Sequence, residues 1–230
     1  MKISVIIPAY NEENTILKIL EKVNLQKKKF NIEIIVCNDG STDSSAKILE
    51  QNKNLYDHLI SNNANFGKGY SIIKSLDYIS GDYILIQDAD LEYDPDDYEK
   101  IFKAAEKGAD VVYGSRFKGS DEKRVLYFWH RFANFLITFL VNILTNINFS
   151  DVETGFKMIK TDYIKQIQLK EKGFGIEIEI TMKLAKIPKI KFFEVGIKYY
   201  GRSYEEGKKI TIVDGFKAIF LSFYYKLFNK

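Results

Sequence analysis

Cysteine, histidine and proline are nearly missing from this 230-residue chain, which holds one Cys (Cys37), two His (His58, His130) and three Pro. A single thiol cannot close an internal disulfide, and one Cys with two His cannot build a Cys/His metal cage. So few thiols suit a reducing compartment. With only 14 Gly beside those prolines, collagen-like and Pro/Gly-rich disordered chains are excluded. The opening Met1-Lys2-Ile3-Ser4-Val5-Ile6-Ile7-Pro8 has too short an apolar run for a signal peptide. No G-x-G-x-x-G follows that run, and no G-x-x-x-x-G-K-[ST] occurs. Charge of one sign is scarce overall, the net being +3, but it is unevenly placed. From Gly196 onward seven basic residues face three acids, +4, which leaves −1 for the rest. That points to an anionic surface or ligand near the C-terminus and not to nucleic acid.

What is present is an ordinary soluble composition, 46% hydrophobic and 28% charged, in an alternating pattern. Apolar runs at Ile3–Ile7, Ile32–Cys37, His58–Ser61, Tyr83–Ile86 and Ala109–Tyr113 read as strands. Between them, Glu12–Val23, a segment capped by Ser41 or Thr42 and running through Leu49, Lys68–Ile79, and Pro95 to Gly108 read as helices. Strands separated by such helices predict βαβ units, a mainly parallel sheet and an α/β fold. Past Gly114 the pattern changes. Phe132–Ser150 is 19 residues without a formal charge, yet seven are polar, and Asn134, Thr138 and Asn142 form one stripe. An amphipathic helix, on the sheet or on a membrane, fits better than a span.

Ligands of open α/β sheets bind beyond the C-terminal strand ends, and the polar clusters follow the strands. Asp88, Asp90 and Glu92 alternate at one such end, where a divalent cation with hard oxygen ligands, Mg²⁺ or Mn²⁺, would relieve their repulsion. A solvated acidic loop capping the next helix is the other reading. Asp94, Asp96 and Asp97 suit a helix start beside Pro95. Gly67-Lys68-Gly69 is a turn that could approach a phosphate, or a plain loop.

Taken in order, Ile6-Ile7-Pro8-Ala9-Tyr10-Asn11-Glu12, Asn38-Asp39-Gly40-Ser41, Asn65-Phe66-Gly67-Lys68-Gly69 and Asp88-Ala89-Asp90 resemble family 2 glycosyltransferases of the GT-A fold. Gly114-Ser115-Arg116, His130-Arg131, Asp151-Val152-Glu153-Thr154-Gly155-Phe156, Glu177-Ile178-Glu179 and Arg202-Ser203-Tyr204-Glu205-Glu206-Gly207-Lys208-Lys209 resemble the dolichol-phosphate mannose synthase, polyprenyl-phosphate branch. The resemblance implies an inverting, Mg²⁺- or Mn²⁺-dependent enzyme taking a nucleotide-sugar (UDP- or GDP-sugar) to a membrane lipid acceptor. By resemblance, Pro8, Tyr10, Glu12 and Asp39 hold base and ribose. Lys68 and Lys209 assist the donor phosphates. Asp88, Asp90 and Glu92 hold the metal, and Arg116, Arg131 and Arg202 grip phosphates. His130 departs from the family, which has Ser there, and Asn38 replaces an Asp.

A phosphate acceptor is already anionic and needs no base; a hydroxyl acceptor such as diacylglycerol needs a carboxylate. Asp151, Glu153, Glu177 and Glu179 are the candidates, Glu177 and Glu179 also suiting a surface face or an ion pair with Arg116 or Arg202. Lys208 and Lys209 suit a solvated turn as well. A non-catalytic membrane-binding protein of the same fold is the remaining alternative. From Phe216, the apolar residues Ile219, Phe220, Phe223, Tyr224, Leu227 and Phe228 recur at helical spacing, with Lys217, Lys226 and Lys230 nearby. The expected organisation is therefore a domain over 1–215 and an amphipathic, membrane-contacting helix over 216–230, peripheral on the cytoplasmic face. The Val125–Phe149 stretch is a second candidate contact.

Overall fold

A computed structural model describes residues 1–119, 122–125, 127–209 and 211–228. Lys230 and one residue of the 125–149 stretch lie outside these. Seven strands form one sheet: β1 (Lys2–Ala9), β2 (Asn31–Asn38), β3 (His58–Ser61), β4 (Tyr83–Ile86), β5 (Val111–Ser115), β6 (Lys157–Lys160) and β7 (Phe192–Gly196). Their order is β3-β2-β1-β4-β6-β5-β7. Every pairing is parallel except those of β6, which runs antiparallel to β4 and β5. The helices are α1 (Ile16–Gln26), α2 (Ser45–Gln51), α3 (Lys68–Ser75), α4 (Tyr98–Glu106), α5 (Phe128–Thr145), α6 (Thr161–Ile164), α7 (Ile176–Leu184) and α8 (Ile212–Leu227).

Strand alternation divides the core. Val5, Ile7, Ile34, Val36 and Leu85 face α1, α2 and α4, whereas Ile6, Ile35, Ile84, Ile86 and Tyr113 face α3, α5, α7 and α8. Runs of buried residues in β1, β2 and β4 are what a sheet covered on both faces requires. β1 continues through Pro8 to Ala9, two residues past the expected end. Its pairing with β4 stops at Ile6↔Ile86, while β2 follows it to Ala9↔Asn38, so the missing Pro8 N–H falls where β4 has already left. The divergence of β1 from β4 opens the crevice at the topological switch point.

Helix boundaries differ locally from expectation. Ser41 and Thr42 do not cap α2; they turn toward Asn11, whose N–H donates to Ser41 Oγ (3.0 Å) and whose Oδ1 accepts from Thr42 N–H (2.8 Å). α2 starts three residues later. α1 starts at Ile16 because Glu12–Thr15 form the turn that leads into it. α3 stops at Ser75.

The polar stripe of α5 faces inward. Asn134 accepts from Arg116, Thr138 accepts from the Val152 N–H, and Asn142 pairs twice with the Phe149 backbone. Phe128, Trp129, Phe135, Phe139 and Ile143 are left exposed. α8 does the same. Ala218, Leu221, Ser222 and Tyr225 are buried, and the apolar stripe from Phe216 to Phe228 is exposed, 71% and 74% at its two ends. This helix begins at a capping box in which Thr211 and Asp214 exchange hydrogen bonds, ahead of Phe216.

Candidate active site

The switch-point crevice widens into a cavity of about 810 Å³. Pro8, Tyr10 and Glu12 come from the end of β1, Asp39 from β2, Asp88, Asp90 and Glu92 from β4, and Arg116 from β5. Lys68 opens α3, Glu177 opens α7, and Glu153 precedes β6. Arg202, Lys208 and Lys209 reach in from the loop before α8. The opposite wall is apolar, built from α5 and α8.

Asp39 is buried and organises the α3 entrance. Its carboxylate accepts from Asn62 Nδ2 (2.7 Å), the Phe66 N–H (3.1 Å) and the Gly67 N–H (2.7 Å). Gly67 sits at φ 103°, and a Cβ there would meet the Lys172 carbonyl oxygen at 2.5 Å, so the turn requires glycine. It delivers Lys68, whose Nζ lies 2.6 Å from Asp88 Oδ1 and 3.0 Å from Glu177 Oε1. Glu177 also pairs with Lys157, a fully buried lysine whose ammonium lies over the Tyr113 ring. Burial pulls the Lys157 pKa down, and Glu177 opposes that. An alternating chain Asp88–Lys68–Glu177–Lys157 thus runs from the cavity into the core. Gly155 packs against it, since a Cβ there would meet Asp88 Oδ2 at 2.4 Å and Lys68 Nζ at 2.7 Å.

Asp90 and Glu92 are held from the other side. Arg202 places Nη2 2.7 Å from Asp90 Oδ2, and its guanidinium also reaches Glu12 (3.3 Å). Glu92 accepts from Tyr199 Oη (2.9 Å) and the Arg202 N–H (2.7 Å). Of the three carboxylates assigned to a metal, Glu92 therefore anchors the C-terminal loop, and Asp88 and Asp90 face the cavity. Leu91, between Asp90 and Glu92, has φ 64°, a strained conformation for leucine that re-aims the chain. Burial, together with the negative charges of Asp88 and Glu92, pushes the Asp90 pKa up to about 7, against the pull of Arg202. Lys209 is exposed, as in a solvated turn, yet its Nζ contacts Glu12 Oε1 (2.7 Å) and donates to the Tyr10 carbonyl (2.6 Å).

Arg116 and Asp151 form a closed pair. Arg116 Nε and Nη2 donate to the two Asp151 oxygens at 2.8 and 2.7 Å, its N–H adds a third bond at 3.0 Å, and Asp151 is fully buried. Asp151 thus has no oxygen facing a substrate. Glu179 is equally committed, accepting from the Lys170 and Glu171 N–H groups and pairing with Lys183 at 2.6 Å. Neither Glu177 nor Glu179 lies on a surface face or pairs with Arg116 or Arg202; both are buried against lysines. Arg131 is exposed, lies 5.6 Å from the Phe117 ring centroid and is not part of the cavity wall. Of the four candidate bases, Glu153 is the one that faces the cavity with no salt bridge among the described residues. Its Oε1 is enclosed and unpaired, and burial raises its pKa to about 7.

Among the described residues no group of three or more His, Cys, Asp or Glu side chains is preassembled to hold a metal. Two facing carboxylates nevertheless fit Mg²⁺, which is commonly bound by one or two carboxylates together with substrate phosphates.

An open α/β sheet with an Asp-x-Asp pair at its switch point, roofed by a basic loop, is the arrangement of a GT-A glycosyltransferase. The family profile described as glycosyl transferase family 2 matches residues 4–168, and the chain belongs to that family. It is 32% identical over 225 residues, 90% of this chain and 94% of the other, to an uncharacterised protein of Methanocaldococcus jannaschii. It is 28% identical over 91% of its length to the dolichol-phosphate mannosyltransferase of Pyrococcus furiosus, of which it spans 61%. That relative supports the expected polyprenyl-phosphate branch. The fold overlays glucosyl-3-phosphoglycerate synthase of Mycobacterium tuberculosis, crystallised with Mn²⁺, UDP and phosphoglyceric acid, with TM-score 0.71 and 17% identity over 98% of this chain and 78% of that one.

Proposed function

We propose that this protein transfers a hexose from a nucleotide-sugar to a polyprenyl phosphate at a membrane surface, with inversion at the anomeric carbon. The observation that carries this reading is the two-sided cavity: charged groups on strand ends face an apolar wall made by α5 and α8, whose outer faces are exposed aromatics. A polar donor and a lipid-borne anion meet at such a boundary.

In this reading Pro8, Tyr10 and Asp39 border the nucleoside, and Asp88 and Asp90 would hold Mg²⁺ or Mn²⁺. The ion would offset charge growing on the leaving diphosphate. Arg202 and Lys209 would exchange their carboxylates for diphosphate oxygens, Arg202 by a bidentate fork and Lys209 as a point charge. The acceptor phosphate attacks the anomeric carbon as an anion, so no side chain has to remove a proton. Arg116, held by Asp151, keeps a fixed positive charge beside the path.

The exposed stripes of α5 and α8 are read as the membrane face, α8 extending the contact assigned to 216–230. Among the described residues no helix is long and apolar enough to cross a membrane. Fully burying a phenylalanine is worth about 1.5–3 kcal/mol, so a few of the exposed rings suffice for interfacial attachment.

A hydroxyl acceptor is the second reading, and Glu153 favours it: an unpaired carboxyl titrating near neutrality could accept a hydroxyl proton. Incubating the protein with Mn²⁺, undecaprenyl phosphate vesicles and, in turn, UDP-glucose, UDP-glucuronate, UDP-N-acetylglucosamine and GDP-mannose tests the proposal. Mass-spectrometric appearance of a lipid-phosphate sugar with one donor supports it; nucleotide release without any lipid product counts against it.

A further inference from the structure

Five basic side chains line the cavity: Lys68, Arg116, Arg202, Lys208 and Lys209. Four have a carboxylate within 4 Å: Lys68 has Asp88 and Glu177, Arg116 has Asp151, Arg202 has Glu12 and Asp90, and Lys209 has Glu12. Lys208 is the exception among the described residues. Its Nζ instead lies 3.1 Å from His130 Nδ1. An ammonium has only protons to offer, so Nδ1 is the acceptor and the imidazole carries its hydrogen on Nε2, which donates to Tyr204 Oη at 2.9 Å. The ring is therefore neutral, in keeping with a pKa lowered by burial and by Lys208 itself.

Lys208 is a cation kept partly out of water with no carboxylate within 4 Å among the described residues. Burial lowers its pKa; Glu92 opposes that, and Arg116 and Arg202 add to it. Its position is as informative as its pairing. His130, Trp129 and Ala133 bring the first turns of α5 to this point, and Ile212, Phe216 and Ile219 of α8 complete the same wall. The first turn of α5, which has no side-chain cap among the described residues, brings Trp129 and His130 to this wall. The positive centre thus stands where the polar half of the cavity meets the apolar half.

We infer that Lys208, positioned by His130, is the docking point for the phosphate monoester of the lipid acceptor, in place of the Arg131 expected from the family pattern. This rests on the phosphate-acceptor reading above.

The test is calorimetric binding of farnesyl phosphate, farnesol and 3-phosphoglycerate to the full chain saturated with UDP and Mn²⁺. The wild type should bind farnesyl phosphate more tightly than either other probe. Lys208→Gln should weaken it by about 10- to 100-fold, the range of one charge-assisted contact, and Lys208→Arg should recover most of the loss. His130→Ala should weaken it less, with recovery in His130→Asn, whose amide oxygen can still accept from Lys208. Arg131→Gln should change it by less than about twofold, as for an exposed residue off the path. Retained UDP binding shows that each variant is folded. If Arg131→Gln abolishes binding and Lys208→Gln does not, the assignment is overturned and the phosphate reading stands. If 3-phosphoglycerate binds as tightly as farnesyl phosphate, the lipid commitment fails. If farnesol binds and farnesyl phosphate does not, the underlying reading fails with it.

Discussion

Arg202 Nη2 lies 2.7 Å from Asp90 Oδ2, joining a loop near the C-terminus to the end of a strand 112 residues earlier. The guanidinium occupies the place where Asp90, Glu92 and Glu12 crowd their negative charge, and Lys68 does the same for Asp88. Asp88→Ala leaves Lys68 with Glu177, and Asp90→Ala leaves Arg202 with Glu12 and Glu92. Neither substitution strands a buried charge, so both variants should fold. Both should lose transfer by about 10²–10³-fold or more, and EDTA should reproduce the loss in the wild type. Undiminished turnover in EDTA would contradict a metal role for this pair.

Gly155 is a backbone position that the two charges need. Gly155→Ala puts a methyl carbon where Asp88 Oδ2 and Lys68 Nζ now sit. Both are ends of flexible side chains, so the site should shift while the sheet stays intact. The expected outcome is a donor affinity weaker by about tenfold, roughly 1.4 kcal/mol, with little change in melting temperature. A variant with full donor affinity would show that the Lys68–Asp88 contact is dispensable.

The candidate bases behave differently once their partners are known. Asp151→Asn leaves a buried Arg116 without its counter-charge, a change that costs about 3–5 kcal/mol in comparable pairs. Lost activity in that variant therefore reports on folding and not on proton transfer. Glu153→Gln is the informative substitution. With a phosphate acceptor it should retain turnover; with a hydroxyl acceptor it should lose about 10²–10⁴-fold, while UDP still binds.

Glu153 also gives a pH signature. Burial raises its pKa from 4.5 to about 7 in the folded chain. Between those values the folded state holds a proton that the unfolded state has released, so this group's contribution to stability is full below pH 4.5 and is lost as pH rises through 7. Glu153→Gln should flatten that part of the stability profile relative to wild type. Parallel profiles from denaturant titrations at pH 5 and pH 7.5 would show that the carboxyl is not held protonated.

The first five strands, the acidic strand ends and the basic segment before the last helix were legible in the sequence, because buried parallel strands read as apolar runs and their ligand loops follow directly. Pairings between distant segments were not. Nothing local marks Asp151 as the partner of Arg116, or His130 as the partner of Lys208, since each pair forms only when the fold brings its elements together. Periodicity located the stripes on α5 and α8 but not their direction. A stripe is a property of one helix, whereas which side is covered depends on its neighbours. In α5 the polar side is covered, because Arg116, Val152 and Phe149 offer it hydrogen bonds.

Removing residues 216–230 would strip Leu221 and Tyr225 from the core and is therefore a poor probe of the outer face. Phe220→Glu and Phe228→Glu change exposed rings that do not line the cavity. Together they should reduce co-sedimentation with anionic vesicles at low salt by about tenfold or more, given the burial value of each ring, with an unchanged melting temperature. Equal sedimentation of wild type and double variant would place the membrane contact elsewhere.

The acceptor distinguishes the two readings. Vesicles holding undecaprenyl phosphate and diacylglycerol in equal amounts, incubated with the protein, Mn²⁺ and the donor that stabilises it, offer both acceptors at once. The lipid products can be separated by their charge and mass. Sugar is expected on the polyprenyl phosphate, with its yield falling in Arg202→Gln. Sugar on the diacylglycerol hydroxyl, with the polyprenyl phosphate untouched, would contradict it.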